Sequence, residues 1–152
     1  MEEARPCISF AKTYFRSRPI CMEIGVQEGN HSRNIIHYLS PLKMVMVDCW
    51  ETYTRTGTTE QYVDSAFEVA KERATGGDTI SEFIKGNSQT ILPSLEENSF
   101  DFIYIDGDHA PMSCALDIIN AVRLVKLGGI VGGHDYLSDG KPGIVHDEKQ
   151  HG

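Results

Sequence analysis

No apolar run in this chain approaches the roughly 18 residues that a membrane-crossing helix needs. Paired cysteines are missing too. Cys7, Cys21, Cys49 and Cys114 stand far apart with no C-x-x-C spacing, which excludes the common zinc and redox motifs. Cys21 and Cys49 fall within apolar, strand-like runs and read as reduced, buried small hydrophobes. Positive charge is scarce, with 14 Lys and Arg against 22 Asp and Glu and a formal net charge of -8. A nucleic-acid partner is therefore disfavoured, because such binding is dominated by cations on phosphates. Met1-Glu2-Glu3-Ala4-Arg5-Pro6 lacks the basic-then-apolar order of a signal peptide, and no internal repeat or low-complexity tract is evident. These absences lead us to expect a cytoplasmic protein with neither membrane nor nucleic-acid partners. At 152 residues and 40% apolar composition, it is long enough for one domain with a real core.

What is present is an alternation of strand and helix signals. Pro19 to Ile24 reads as a buried strand, followed by a loop from Gly25 to Gly29. Asn30 or Ser32 can cap a helix with Ile35, Ile36 and Leu39 on one face. Met44 to Val47 forms the second strand and ends at Asp48. A helix is expected over about Thr59 to Ala74, stopped by Gly76-Gly77, and a strand over Thr79 to Ile84. A short helix around Thr90 to Leu95 precedes the strand Phe102 to Ile105. The last helix, about Met112 to Lys126, is expected to face inward with Ala115, Ile118, Ile119, Val122 and Val125, and Gly128 suits its C-terminal cap. Ile130-Val131 is the centre of a fifth strand. Near-continuous apolar strands alternating with helices predict an α/β fold with a doubly wound parallel sheet. A short helix over Ile8 to Phe15 is also expected, with no chemistry attached to it. Residues 1–18 thus read as a helical segment, 19–136 as the domain, and 137–152 as a polar tail.

Chemistry concentrates where strands end, the place at which ligands bind in open α/β sheets. Phe100-Asp101-Phe102-Ile103-Tyr104-Ile105 runs straight into Asp106-Gly107-Asp108-His109, and Gly129-Ile130-Val131-Gly132-Gly133 runs into His134-Asp135-Tyr136. Two strand tips that deliver acid and imidazole to one edge suggest a catalytic site. The loop Glu23-Ile24-Gly25-Val26-Gln27-Glu28-Gly29 has G-x-x-x-G spacing instead of the dinucleotide G-x-G-x-x-G. With Glu28 in it, the loop is a poor pyrophosphate cradle and suits a nucleoside that carries positive charge; a plain strand-to-helix turn is the alternative. Asp48 is placed to accept hydrogen bonds from ribose hydroxyls or to cap a helix. Trp50 can cover a nucleoside or pack against the next helix. Gly86-Asn87-Ser88 can bond to adenine or cap the helix that follows. Tyr53, Tyr136 and the stretch Thr52 to Thr59 read as pocket lining or as surface loop.

In this order the residues resemble a class I S-adenosylmethionine-dependent methyltransferase, from about Ile20 to Tyr136. Glu23-x-Gly25-x-x-x-Gly29 is similar to the first motif of that family, Asp48 to its ribose-binding acid, Gly86-Asn87-Ser88 to its adenine-side loop and Asp106 to the acid that ends strand four. The phrases Asp106-Gly107-Asp108-His109 and Gly132-Gly133-His134-Asp135-Tyr136 resemble its small-molecule branch, which includes macrocin- and novobiocin-type sugar O-methyltransferases and cephalosporin-hydroxylase-like proteins.

The resemblance implies transfer of a methyl group from S-adenosylmethionine to a hydroxyl of a sugar or other small metabolite. It implies a cofactor site of Glu23, Gly25, Gly29, Asp48, Cys49 and Trp50, completed by Asn87, Ser88 and Asp106. Asp108 is implied as general base, with His109 as an alternative. Asp106, His134 and Asp135 are implied as ligands of a divalent metal, Mg²⁺ by the hardness of the carboxylates, although imidazole suits softer metals. The family sheet runs 3-2-1-4-5-7-6. Five strands are legible here, so strands 6 and 7 are expected to be missing. Strand five then becomes an open edge that favours pairing with a second copy. A non-catalytic module that binds the cofactor or its demethylated product is the second reading. A dehydrogenase-like nucleotide binder is the third, weakened by the missing G-x-G-x-x-G.

Overall fold

Strands covered on both faces must be apolar nearly throughout, and three segments of the chain meet that demand. In the computed structural model, which describes residues 4–50 and 61–134 (61–65 by backbone alone), these are β1 (Ile20–Ile24), β2 (Lys43–Asp48) and β4 (Phe100–Ile105). They form the centre of a five-stranded sheet, with β3 (Ile80–Lys85) and β5 (Val125–Gly133) at its edges. The order is β3-β2-β1-β4-β5 and every pairing is parallel. The doubly wound order expected from the sequence is thus the one observed.

Helices cover both faces. α1 (Pro6–Tyr14), α2 (Asn30–Leu39) and α3 (Gln61–Arg73) lie on one side. There Ile8, Ala11, Ile35 and Leu39 pack with Cys21, Met44, Met46, Phe102 and Tyr104. On the other side lie the single-turn α4 (Ser88–Ile91), a 3-10 turn over Leu92–Ser94 and α5 (Pro111–Leu124). Leu92, Ala121 and Leu124 pack there against Met22, Ile24, Val45, Val47, Ile103 and Ile105. Successive strand residues alternate between the two cores, as the two-residue period of a strand requires.

Three local expectations are corrected. The short helix starts at Ser88 instead of Thr90, because the Asn87 side chain accepts the Gln89 amide and caps it. The last helix stops at Leu124, where Val125 is already extended, so Gly128 (φ +81°) lies within β5 and caps nothing. β5 absorbs this early start by a register shift between Phe100 and Phe102 of β4. The inner face of α5 is also not the apolar stripe. Ile118, Ile119 and Val122 are exposed, as is Ala115, while Asp117, Ala121 and Leu124 are buried. On this buried side Asp117 supports the loop that carries Ser88, and Ala121 and Leu124 continue into the core. The expected tail, Tyr53, Tyr136 and the stretch Thr52 to Thr59 lie outside the described residues, as does Asp135.

The register sets the site. Ile24 pairs with Val47 and with Ile105, and Ile105 pairs with Gly133. The next residues, Gly25, Asp48, Asp106 and His134, therefore stand in one row along the carboxyl edge of the sheet. Gly25 N to Val47 O, Asp106 N to Ile24 O and His134 N to Ile105 O continue the ladder into it. Among the described residues no helix is long and apolar enough to cross a membrane.

The orientation of α5 is open to a direct check. Leu124→Ala should cost about 2–5 kcal/mol in urea unfolding, and Ile119→Ser less than about 0.5 kcal/mol. The reverse ranking would restore the apolar stripe as the inner face.

Candidate functional site

Gly25 opens the site because nothing larger fits there. Its φ is +83°, and a Cβ would stand 2.1 Å from the Asp106 carbonyl oxygen. Gly29, at φ +73°, precedes α2, and its missing side chain lets α3 approach, with Ala70 Cα 3.1 Å from where a Cβ would be. Between these glycines, the Val26 and Gln27 amides donate to Asp48 Oδ2 at 2.7 and 2.9 Å, and the Trp50 amide donates to Oδ1 at 2.8 Å. Asp48 thus draws the glycine loop over the tip of β2. A carboxylate offers about four lone-pair sites, so Oδ1 keeps capacity for a ligand hydroxyl.

Trp50 does not line the cleft. It is 3% exposed, packs against Phe67 and Phe83, and donates its indole N–H to the Gln27 carbonyl at 2.8 Å. Its contribution is to hold the loop from below. Glu23 is also buried and faces α2, where it accepts the Ser32 hydroxyl and lies 2.7 Å from His31 Nδ1.

A cleft of roughly 150 Å³ opens beside this row, lined by Gly25, Asp48, Cys49, Asn87, Ser88, Gln89, Gly107, Asp108 and Ser113 over a floor of Ile24 and Val47. Its volume, below the ~300 Å³ of a whole-ligand pocket, suits part of a ligand. The sequence-predicted residues Gly25, Asp48, Cys49, Asn87, Ser88 and Asp108 converge here. Three others were missed. Gln89 Nε2 donates to the Ser113 hydroxyl at 3.0 Å and ties α4 to α5. Asp117, 1% exposed, accepts the Ser88 hydroxyl at 2.7 Å beneath the cleft. Burial pushes its carboxyl above the usual range, the Ser88 bond opposes that, and the charge of Asp108 adds to it. A lone acid at i−4 and i−7 from Ala121 and Leu124 was the signal that could have found it.

At the far end of the row, Asp106 Oδ2 accepts from Arg5 Nη1 at 3.2 Å, and Oδ1 lies 3.3 Å from His134 Nδ1. Arg5 Nη1 also donates to the Tyr104 hydroxyl, whose pKa burial pushes up to about 12. Asp108 and His109 are exposed at the rim. The Ser113 hydroxyl, then the Ala110 amide, hold the Asp108 carboxyl below its ordinary value.

Of the three residues expected to hold a divalent metal, Asp106 and His134 are described and Asp135 is not. Asp106 Oδ2 faces the Arg5 guanidinium and Oδ1 the His134 imidazole. No group of three ligating side chains converges among the described residues.

Comparison with known proteins bears on the family and the fold. The model of the family described as Methyltransferase domain matches residues 22–136. A protein of Mycobacterium sp. (strain JLS), named a candidate O-methyltransferase, is 31% identical over 67 residues, 44% of this chain and 30% of that protein. A Corynebacterium glutamicum crystal structure superposes with a TM-score of 0.64 at 16% identity, covering 95% of this chain and 63% of that one. A SAM-dependent methyltransferase from Archaeoglobus fulgidus gives 0.53 at 13% identity, covering 82% and 51%. Likenesses this distant speak for the fold alone. In each case the matched part of the chain covers less than two thirds of the relative's length.

Asp117 carries a pH signature. A carboxyl whose pKa rises on folding holds its proton more tightly in the folded chain. Its penalty is absent in acid and grows as pH climbs above about 4, the unfolded value. Asp117→Asn should therefore gain stability relative to the parent between pH 4 and 7 in urea titrations. Parallel pH profiles for the two proteins would contradict the assignment.

Proposed function

The chain belongs to the Methyltransferase domain family, and from that premise we propose that it transfers a methyl group from S-adenosylmethionine to a hydroxyl of a sugar or other small metabolite. The observation that carries the reading is the row Gly25, Asp48, Asp106 beside a cleft lined by Asn87 and Ser88. Asp48, fixed by three amides, would accept a ribose hydroxyl on Oδ1. Ser88, held by Asp117, and Gln89, held by Ser113, would meet the base. The missing Cβ of Gly25 lets the glycine loop close against the Asp106 carbonyl, which brings the tips of β1 and β4 together beside the cleft.

The bound cofactor supplies an electrophilic sulfonium methyl. Attack of the acceptor oxygen on that methyl would release the sulfide and a hydroxyl proton. Asp108 stands at the rim to receive it, with His109 beside it as the alternative base. A carboxylate held below its usual pKa is always ionised near neutrality but is a weak base. Its contribution should fall at the low end of the general-base range, about 10²-fold. Atoms and charges balance in this step without a metal ion.

Calorimetric titration with S-adenosylhomocysteine tests the cofactor half. The expected result is binding that Asp48→Ala abolishes; a folded chain that binds nothing would end the reading. In an acceptor screen, Asp108→Asn should lower kcat about 10²-fold with cofactor affinity near normal, and activity should fall only below the ordinary carboxylate range. Turnover should survive EDTA. Loss on chelation, restored by Mg²⁺, would instead recruit Asp106, His134 and Asp135. Binding with no methyl transfer would leave a cofactor-binding module.

A further inference from the structure

The two edges of the sheet are finished differently. β3 carries Glu82 and Lys85, and Glu82 is paired with Lys43 of β2. Charges of this kind blunt an edge against further pairing. β5 has one charged residue, Lys126, and Asp101 of β4 already holds it at 2.9 Å. Four of the nine residues of β5 are glycine, which lets another backbone approach closely. The bond from the His134 amide to the Ile105 carbonyl fixes which groups face β4. Val131 and Gly133 alternate with Gly132 and His134, so their own amides and carbonyls turn outward. Among the described residues no strand lies beyond them.

The helices on both faces leave apolar side chains beside this same edge. On α1, Cys7 lies against Gly132 and the Tyr14 hydroxyl donates to the Gly128 carbonyl at 3.0 Å. The flank of α1 that bears Phe10 and Tyr14 therefore runs along β5, while Lys12 sits over Tyr38 of α2 on the opposite flank. Phe10 and Tyr14 stack with ring centroids 5.7 Å apart, and both are exposed. On α5, Arg123 donates to the Leu92 and Leu95 carbonyls and Ser113 accepts from Gln89, which marks the flank toward α4. Ile118 and Val122 stand on the other flank, toward β5, and are exposed. With Leu127 and Val131 of the strand itself, six of the ten exposed large hydrophobics among the described residues gather at one end of all three layers. Single exposed apolar side chains are ordinary, but a contiguous patch marks an interaction site.

We propose that this end of the molecule is a homodimer interface, in which β5 pairs antiparallel with β5 of a second copy and continues the sheet across a twofold axis. α5 then packs on its copy through Ile118 and Val122 on one face, and α1 through Phe10 and Tyr14 on the other. A twofold axis demands a self-complementary patch, and the charges permit one. Two copies of net charge -8 repel overall, so the contact must bring no unbalanced charge of its own. Each charged residue of α5 and β5 is already satisfied: Asp117 is buried against Ser88, Arg123 is bound to carbonyls and Lys126 is paired. Apolar side chains from three layers, with the edge strand between them, reach the roughly 1,000 Å² of total buried surface that a specific interface needs. The pairing does not rest on the cofactor reading.

Sedimentation equilibrium of the full chain tests it. The parent should show about twice the monomer mass of 16.9 kDa, with a Kd in the micromolar range or below. Ile118→Glu, exposed in the single copy, should keep the fold and weaken association about 100-fold, because it places an uncompensated charge in the contact. Mixing that variant with Ile118→Lys should restore a dimer. Val131→Pro removes an outward amide while the bonds to β4 remain, and should also dissociate the copies. Far-UV circular dichroism that matches the parent verifies folding of each variant. A parent that sediments as a monomer would overturn the proposal and leave the face to a different partner. A dimer that Ile118→Glu leaves intact would place the contact elsewhere and overturn it as well.

Discussion

One oxygen of Asp48 accepts two consecutive amides of the glycine loop, and the shape of the cleft depends on that bond. The loop joins β1 to α2, so its path decides how far the helix stands from the tips of β2 and β4. Asp48 pins it from the β2 side. The absence of a side chain on Gly25 lets it touch the Asp106 carbonyl on the β4 side. Trp50 locks the same loop through its indole, buried between α3 and β3. The ligand contact proposed for Asp48 would therefore fall on a residue that is first a structural clasp.

Charge at the strand tips is arranged in pairs. Asp106 lies between Arg5 and His134, Glu23 beside His31, and Asp117 under Ser88. In a chain of net charge -8, unpaired acids at this edge would repel one another and any anionic ligand group. Pairing Asp106 with a guanidinium offsets its charge locally. The acid left at the rim, Asp108, is exposed and held below its ordinary pKa by the Ser113 hydroxyl and the Ala110 amide at the start of α5.

α5 shows how a site overrides amphipathic logic. Much of its apolar stripe is exposed, while Asp117, Ala121 and Leu124 face the sheet. The helix crosses directly over the cleft floor, where Gly107 approaches Asp117 so closely that a Cβ would stand 3.1 Å from its carboxylate. A large apolar residue there would push Ser88 and Gly107 apart.

The sequence by itself determined the architecture. Apolar runs long enough only for buried strands, alternating with helical periods, admit a parallel sheet covered on both faces, and the glycines and acids at the run ends mark its carboxyl edge. These signals are local, since burial and backbone conformation act on a few consecutive residues. Only the tertiary structure decided which residues meet. Arg5 reaches Asp106 across 101 positions and Ser88 meets Asp117 across 29. The register also brings Gly25, Asp48, Asp106 and His134 into one row. Trp50 was ambiguous in sequence because an aromatic ring serves a ligand or a core equally well, and packing against Phe67 and Phe83 settled it. The inner face of α5 was misread for the same reason. Periodicity reports an apolar stripe, but which stripe is buried depends on what the facing layer requires.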